Sequence, residues 1–133
     1  MGTVVVDTGV LVSLLDPQDA NHDRATRALH EVRRARDQMV LPATALAELL
    51  VGASRLEPAA LQTVEALVDA VVDQVREIDR EVVGVAVRVR ARYRFLRLPD
   101  AMVLAVGQVV EADSVLTTEQ QWTRADRRVR LLT

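Results

Sequence analysis

An α/β fold with a mainly parallel central sheet is what this sequence predicts, on three observations. Short apolar runs such as Val4–Val6 and Met39–Leu41 alternate with longer stretches whose apolar residues recur at helical spacing. The short runs are apolar without a break, as strands covered on both faces are. No linker, internal repeat or low-complexity segment interrupts the pattern, so the 133 residues are expected to form a single domain, 1–133.

Taken in order, Val4–Val6 is the first strand, and Val10–Leu15 a helix stopped near Asp16-Pro17. Asn21 can cap a second helix to about Arg36, with Ala25, Ala28, Leu29 and Val32 on one face. Met39–Leu41 is the second strand, ended by Pro42. Thr44 suits the N-cap of the next helix, which runs to about Leu56. Pro58 fits the first turn of a fourth helix striped by Leu61, Val64, Leu67, Val68, Val71 and Val72. Val75–Ile78 is a third strand. From Asp79 to Leu96, the alternation Val87 to Arg94 suggests a strand, but Val82, Val85, Ala86, Val89, Tyr93 and Leu96 form a longer helical stripe, and the longer pattern prevails. Pro99–Glu111 is a helix apolar nearly all round and so buried. Ser114–Leu116 is a strand, Thr117–Trp122 a loop or short helix, and Val129–Leu132 a last strand at an edge.

Composition narrows the chemistry. Half the residues are apolar, enough for a sizeable core. There is no cysteine, which removes disulfides and thiolate metal sites and fits a cytoplasmic protein. No apolar stretch reaches the roughly 18–20 residues that span a bilayer. All 17 basic residues are arginine. The absence of lysine rules out a P-loop lysine, a Schiff base and a receiver-type phosphoacceptor site.

The chemistry-bearing residues are acids. Asp7 follows the first strand, at the sheet edge where open α/β folds bind ligands, although Asp7 or Thr8 also suits a plain N-cap. Asp100 lies in the first turn of the Pro99 helix and Glu119 shortly after the Ser114 strand, both at that same carboxyl edge. Taken singly, Asp100 is a favourable charge on a helix dipole and Glu119 a member of a solvated turn. Glu48 sits among Ala45, Leu46, Ala47, Leu49, Leu50 and Val51, and helical side chains lean toward the N-terminus, hence toward the edge. Several carboxylates stay ionised together only if a cation compensates them. Oxygen donors of this kind favour Mg²⁺ or Mn²⁺, and such a site suits phosphodiester hydrolysis. His22 and His30 fall on a helix away from this edge. Asp113 precedes its strand and belongs to the opposite edge, whereas Asp126 is expected nearer Glu119.

Four segments carry a resemblance. Val4-Val5-Val6-Asp7-Thr8, Ala45-Leu46-Ala47-Glu48-Leu49, Leu98-Pro99-Asp100-Ala101 and Ala112 to Trp122 are similar, in order and across the chain, to the motifs of PIN-domain proteins, above all VapC-type toxins. The resemblance implies a three-layer α/β/α sandwich and an Mg²⁺- or Mn²⁺-dependent endoribonuclease, the toxin of a type II toxin–antitoxin pair. It also implies a homodimer and a small VapB-like antitoxin that occludes the acidic site. By motif, Asp7, Glu48 and Asp100 are the metal ligands, Glu119 a fourth catalytic acid, and Thr117 a polar residue beside the site. Glu119 stands where the family more often has Asp; the added methylene moves its carboxylate by about 1.5 Å, against the strict geometry of Mg²⁺.

Arg88, Arg90, Arg92, Arg94 and Arg97 precede Asp100, and Arg124, Arg127, Arg128 and Arg130 follow Glu119. Each is also a plain solvated flank; beside an acidic site, their planar forks suit RNA phosphates. On a continuous helix, Arg90, Arg94 and Arg97 share a side, and with Thr8 and Thr117 they are the expected substrate-positioning residues. One Trp, one Tyr and one Phe leave little for extensive base stacking, and Trp122 suits packing. Two rivals remain. An Asp-nucleophile phosphatase commonly has a second Asp two residues after the first, where Gly9 stands here. A PIN-fold interaction module without activity is compatible with Glu119.

Overall fold

Five parallel strands in the order β3-β2-β1-β4-β5 form the centre of the computed structural model, which describes residues 1–133. β1 (Thr3–Val6) lies between β2 (Gln38–Pro42) and β4 (Ser114–Thr117). β3 (Gln74–Arg76) and β5 (Val129–Leu131) are the two edges. Val4, Val5 and Val6 are all buried. Successive strand residues point to opposite faces, so burial of all three requires cover on both. The result is an α/β/α sandwich.

From β1 the chain moves outward to β2 and β3, then crosses back to β4 and β5 on the other flank. The carboxyl end of β1 is therefore the point where the strand order switches direction, and the crevice outside that point is where such sheets bind ligands. The register is Val5 opposite Val40 and Val6 opposite Leu116. It carries one step past the strand, where Asp7 N donates to Leu116 O at 3.0 Å.

The helices are α1 (Thr8–Leu15), α2 (His22–Arg34), α3 (Ala43–Ser54), α4 (Pro58–Val71), α5 (Arg80–Arg92) and α6 (Leu98–Val109), with a 3₁₀ turn at Gln120–Arg124. The helical stripe wins over the alternating pattern in α5, where Val82, Ala86 and Val89 are buried. Its start is fixed by Asp79, whose carboxylate accepts from Val82 N at 3.0 Å. The Leu96 N–H, which donates to Tyr93 O at 3.0 Å, and the burial of the Leu96 side chain then close a turn from Tyr93 to Arg97 that aims the chain into α6.

Several expectations are corrected. α1 begins at Thr8 rather than Val10, because Asp7 caps it. β3 covers Gln74–Arg76, displaced from the expected Val75–Ile78. Thr44 does not cap α3; Pro42 occupies that position, and the Thr44 hydroxyl is buried inside the first turn without a hydrogen-bond partner. Asn21 precedes α2 but makes no capping bond, its side-chain oxygen accepting instead from Arg24. No helix is long and apolar enough to cross a membrane.

α6 is the innermost helix, with Ala101 and Val103–Gly107 all buried. Gly107 permits this depth. A Cβ there would meet Val115 Cγ2 of β4 at 2.7 Å. Alanine ordinarily favours a helix over glycine by up to about 1 kcal/mol, but here overpacking dominates. Gly107→Ala is expected to lower stability by about 1–3 kcal/mol, read as a drop in the urea midpoint; a rise would mean the helix has room to recede.

Candidate active site

Each acid reaches the carboxyl edge by a different local device. Asp7 ends β1 with extended backbone (φ −88°, ψ 159°) and turns the chain into α1. One of its oxygens accepts from Thr8 N at 2.8 Å. The other accepts from Thr117 Oγ1 at 2.9 Å. Asp100 sits in the first turn of α6, where Pro99 supplies the fixed φ and lacks the N–H that would have no partner. Glu48 is one turn beyond Thr44 on α3. Glu119 leaves β4 after a bend pinned by its own N–H, which donates to Thr117 Oγ1 at 3.0 Å.

These residues share an electrostatic field. The Asp7 carboxyl is pushed from its usual 3.8 up to about 6, chiefly by burial, which its two hydrogen bonds oppose; the charges of Asp100 and Glu48 raise it further. Arg97 feels the same field with the opposite sign. Its guanidinium is held above its usual range, first by Asp100 and then also by Glu48 and Glu119. It forms an ion pair with Asp100 at 3.5 Å. Arg97, Asp100 and Glu119 line one cleft of about 320 Å³.

A cation would relieve this arrangement. Burial and like charges penalise the ionised Asp7, and a divalent ion removes that penalty. No three of the acids form a ready cage for an ion. Mg²⁺ does not need one, because it keeps several waters and takes only one or two carboxylates together with phosphate oxygens. The donors are all hard oxygens, which suit Mg²⁺ or Mn²⁺. Asp100 and Glu48 are the two acids whose charges reach Asp7.

The profile of the PIN domain matches residues 4–128. The chain belongs to the PIN-domain family. Solved structures share the fold. A VapBC2 complex from Rickettsia felis, bound to a DNA fragment from its promoter, aligns with a TM-score of 0.81 and 12% identity over 98% of this chain and 99% of that one. A toxin–antitoxin complex from Klebsiella pneumoniae aligns with a TM-score of 0.79 and 21% identity over 96% and 95%. The sarcin–ricin loop cleaving toxin VapC20 of Mycobacterium tuberculosis aligns with a TM-score of 0.74 and 18% identity over 92% and 94%. A search of curated protein sequences found no match.

Within this PIN domain some expected site residues have other employment. Thr117 is fully buried, so it cannot touch substrate; it aims Asp7 and holds the bend to Glu119. The Thr8 hydroxyl donates to Ala45 O at 3.1 Å and ties α1 to α3. Arg90, Arg94 and Arg97 do not share one helical side, because α5 ends at Arg92 and the last two lie in or beside the turn that follows. Asp126 is engaged by its own turn: Oδ1 accepts from Arg128 N at 2.8 Å and pairs with the Arg128 guanidinium at 3.5 Å, while its buried Oδ2 has no hydrogen-bond partner. Asp113 lies at the amino edge, accepting from Thr3 N at 2.8 Å. His22 Nδ1 is occupied by Ser13 O at 2.8 Å. Trp122 is buried and packs.

Sequence reasoning missed two contributors. Gly9 lets the bend after β4 approach, since a Cβ there would meet Thr118 Oγ1 at 2.8 Å. Phe95 lines the same cleft as Asp100 and Glu119. No periodicity marks Phe95; the only signal was that it is the one Phe in the chain.

The raised Asp7 carboxyl has a thermodynamic consequence. The folded protein keeps its proton to about pH 6, whereas the unfolded chain releases it near 3.8. Ionisation therefore costs stability that is absent below about pH 4, grows between pH 4 and 6, and is complete above that. Without divalent ions at pH 7.5, Asp7→Asn is expected to stabilise the protein by about 1–3 kcal/mol. The gain should vanish at pH 3.5. A pH-independent difference in denaturant midpoint would show that burial of the charge is not its source.

Proposed function

We propose that this PIN-domain protein is a metal-dependent endoribonuclease, acting as the toxin of a toxin–antitoxin pair. The observation that carries the nuclease reading is the Asp7 carboxyl, part-buried at the switch point of the sheet with Asp100 and Glu48 adding to its charge penalty. Such a carboxylate is poorly placed as a bare anion and well placed as a ligand for Mg²⁺ or Mn²⁺. When bound, the ion supplies a water acidic enough to attack near neutral pH and charge to offset that on the phosphate.

The chain's own groups do the rest. Thr117 and the N–H of Thr8 fix both oxygens of Asp7, so little reorganisation is needed on binding. Asp100 is held by the most deeply buried helix. Arg97, mostly exposed and paired with Asp100, is free to turn its fork to a phosphate oxygen as substrate arrives. Water oxygen bonds to phosphorus as the bond to one ribose oxygen breaks, and the released oxygen takes up a proton. Glu119 is exposed and near Arg97, and would meet the ion through water rather than directly.

The toxin reading draws on fold neighbours solved as toxin–antitoxin complexes, in Rickettsia felis and Klebsiella pneumoniae. We assign the chain a small antitoxin partner of the VapB kind, a homodimeric state and an RNA substrate, the last supported by the acidic site flanked by arginines.

Purified protein is expected to cleave structured RNA with Mg²⁺ or Mn²⁺ and to stop in EDTA. Removing a group that supports a metal ligand typically costs about 10–100-fold in activity, so Thr117→Val should fall in that range and Asp7→Ala or Asp100→Ala below it. Cleavage that survives Asp100→Ala or EDTA would remove the metal-site reading. Expressed alone, the chain should arrest growth of its host and be relieved by co-expression of a small protein that co-purifies with it. Harmless accumulation of soluble wild-type protein would contradict the toxin assignment.

A further inference from the structure

The chain has one Tyr, one Phe and one Trp. All three gather at the corner that holds the acids: Phe95 and Trp122 line the cleft with Asp100 and Glu119, and Tyr93 meets Phe95 edge to face with centroids 6.1 Å apart. Trp122 is buried and serves the core, but Phe95 is 37% exposed. The turn between α5 and α6 fixes this difference. Leu96 is 2% exposed and its N–H donates to Tyr93 O at 3.0 Å, so anchoring residue 96 inward sends residue 95 outward over the cleft.

Two guanidinium groups extend the aromatic pair. Arg124 lies over the Phe95 ring, 4.9 Å from its centroid, and Arg92 lies over Tyr93 at 5.3 Å. Flat rings and flat guanidinium groups are the surfaces on which unstacked bases settle, and the same arginines can reach a neighbouring phosphate. A paired base keeps its faces within the helix, so a single exposed ring beside a cleft can stack only on a base that has left its stack. The volume of about 320 Å³ is at the small end of ligand sites and suits one nucleotide rather than a duplex.

We propose that Phe95 and Arg124 form a stacking subsite for one unpaired nucleotide adjoining the phosphate held at the acids. The proposal rests on the nuclease reading and deepens it: the substrate is RNA with an unpaired base next to the cleaved bond. Phe95 and Arg124 are positioning residues here, acting through the base.

The experiment has two readouts. In the first, a hairpin RNA is cleaved by wild-type, Phe95→Leu, Phe95→Trp and Arg124→Ala proteins, and the cleavage position is mapped. Phe95→Leu is expected to lower kcat/KM by about 5- to 100-fold, the range that loss of one base stack produces, and Phe95→Trp to retain activity. With an abasic site at the nucleotide beside the mapped position, wild type should fall to the Phe95→Leu level and the variant should lose nothing more, an outcome that a merely structural role would not give. In the second, 2-aminopurine is placed in the loop and its quenching on binding is followed in EDTA, where no cleavage is needed. Quenching should require Phe95. Normal cleavage and quenching by Phe95→Leu would overturn the subsite and leave the nuclease reading standing. Quenching that needs Phe95, with no cleavage by wild type under either metal, would keep the subsite and remove the nuclease. If Phe95→Leu weakens only the binding of a co-purified protein, the ring is a protein contact and the subsite is overturned.

Discussion

The hydrogen bond from Thr117 Oγ1 to Asp7 Oδ2 links the ends of two neighbouring strands across the switch point of the sheet. The same hydroxyl oxygen accepts from Glu119 N, so one buried side chain sets both the acid after β1 and the bend after β4. Everything at the carboxyl edge is referred to this bond. α1 starts where Asp7 caps it, and the Thr8 hydroxyl passes the link to α3, the helix that bears Glu48. The cap and the candidate metal ligand are thus the same carboxylate. A hydrogen bond to a buried carboxylate favours its charged form, which holds the Asp7 carboxyl lower than burial alone would leave it.

Acids also occur at the amino edge, with a different fate. Asp37 accepts from Gly2 N, Asp113 from Thr3 N, and Asp73 from Met39 N. Each satisfies a backbone donor where a strand begins, which would otherwise have no partner. At the carboxyl edge, strands end in carbonyl oxygens and helices begin with free N–H groups, so a carboxylate meets other carboxylates and helix N-termini instead. Asp100 there finds a guanidinium only because the turn brings Arg97 back over it.

Much of this was legible in the chain. Unbroken apolar runs gave the central strands β1, β2 and β4, and the stripe from Val82 to Val89 outweighed the alternation that imitates a strand. The edge positions of Asp7 and Glu119 followed from strand–helix order, as did the placing of Asp113 at the other edge, whereas that of Asp100 depended on how α6 turns back from α5. What failed depended on distance between segments. Thr44 carries the right residue type for a cap, but Pro42 enters the helix first. The supposed arginine face required α5 to continue past Arg92, and the burial of Leu96 ends it. Thr117 reads as polar and hence accessible, yet a hydroxyl whose donor and acceptor are both used can be buried without penalty. Phe95 gives no periodic signal because it lies in a turn.

The contrast between the two edges bears on how the protein tolerates change. Asp37, Asp73 and Asp113 are held in place by backbone donors, so loss of one leaves a strand start unpaired and is felt as poorer folding. Asp7 is penalised by burial and by the charges of Asp100 and Glu48, so its loss eases the fold while altering what the cleft can hold. A saturation library scored for abundance and for activity would thus separate Asp7 from Asp37, Asp73 and Asp113. One residue type would produce two phenotypes, decided by whether the carboxylate meets a backbone donor, as Asp79 also does before α5, or other carboxylates.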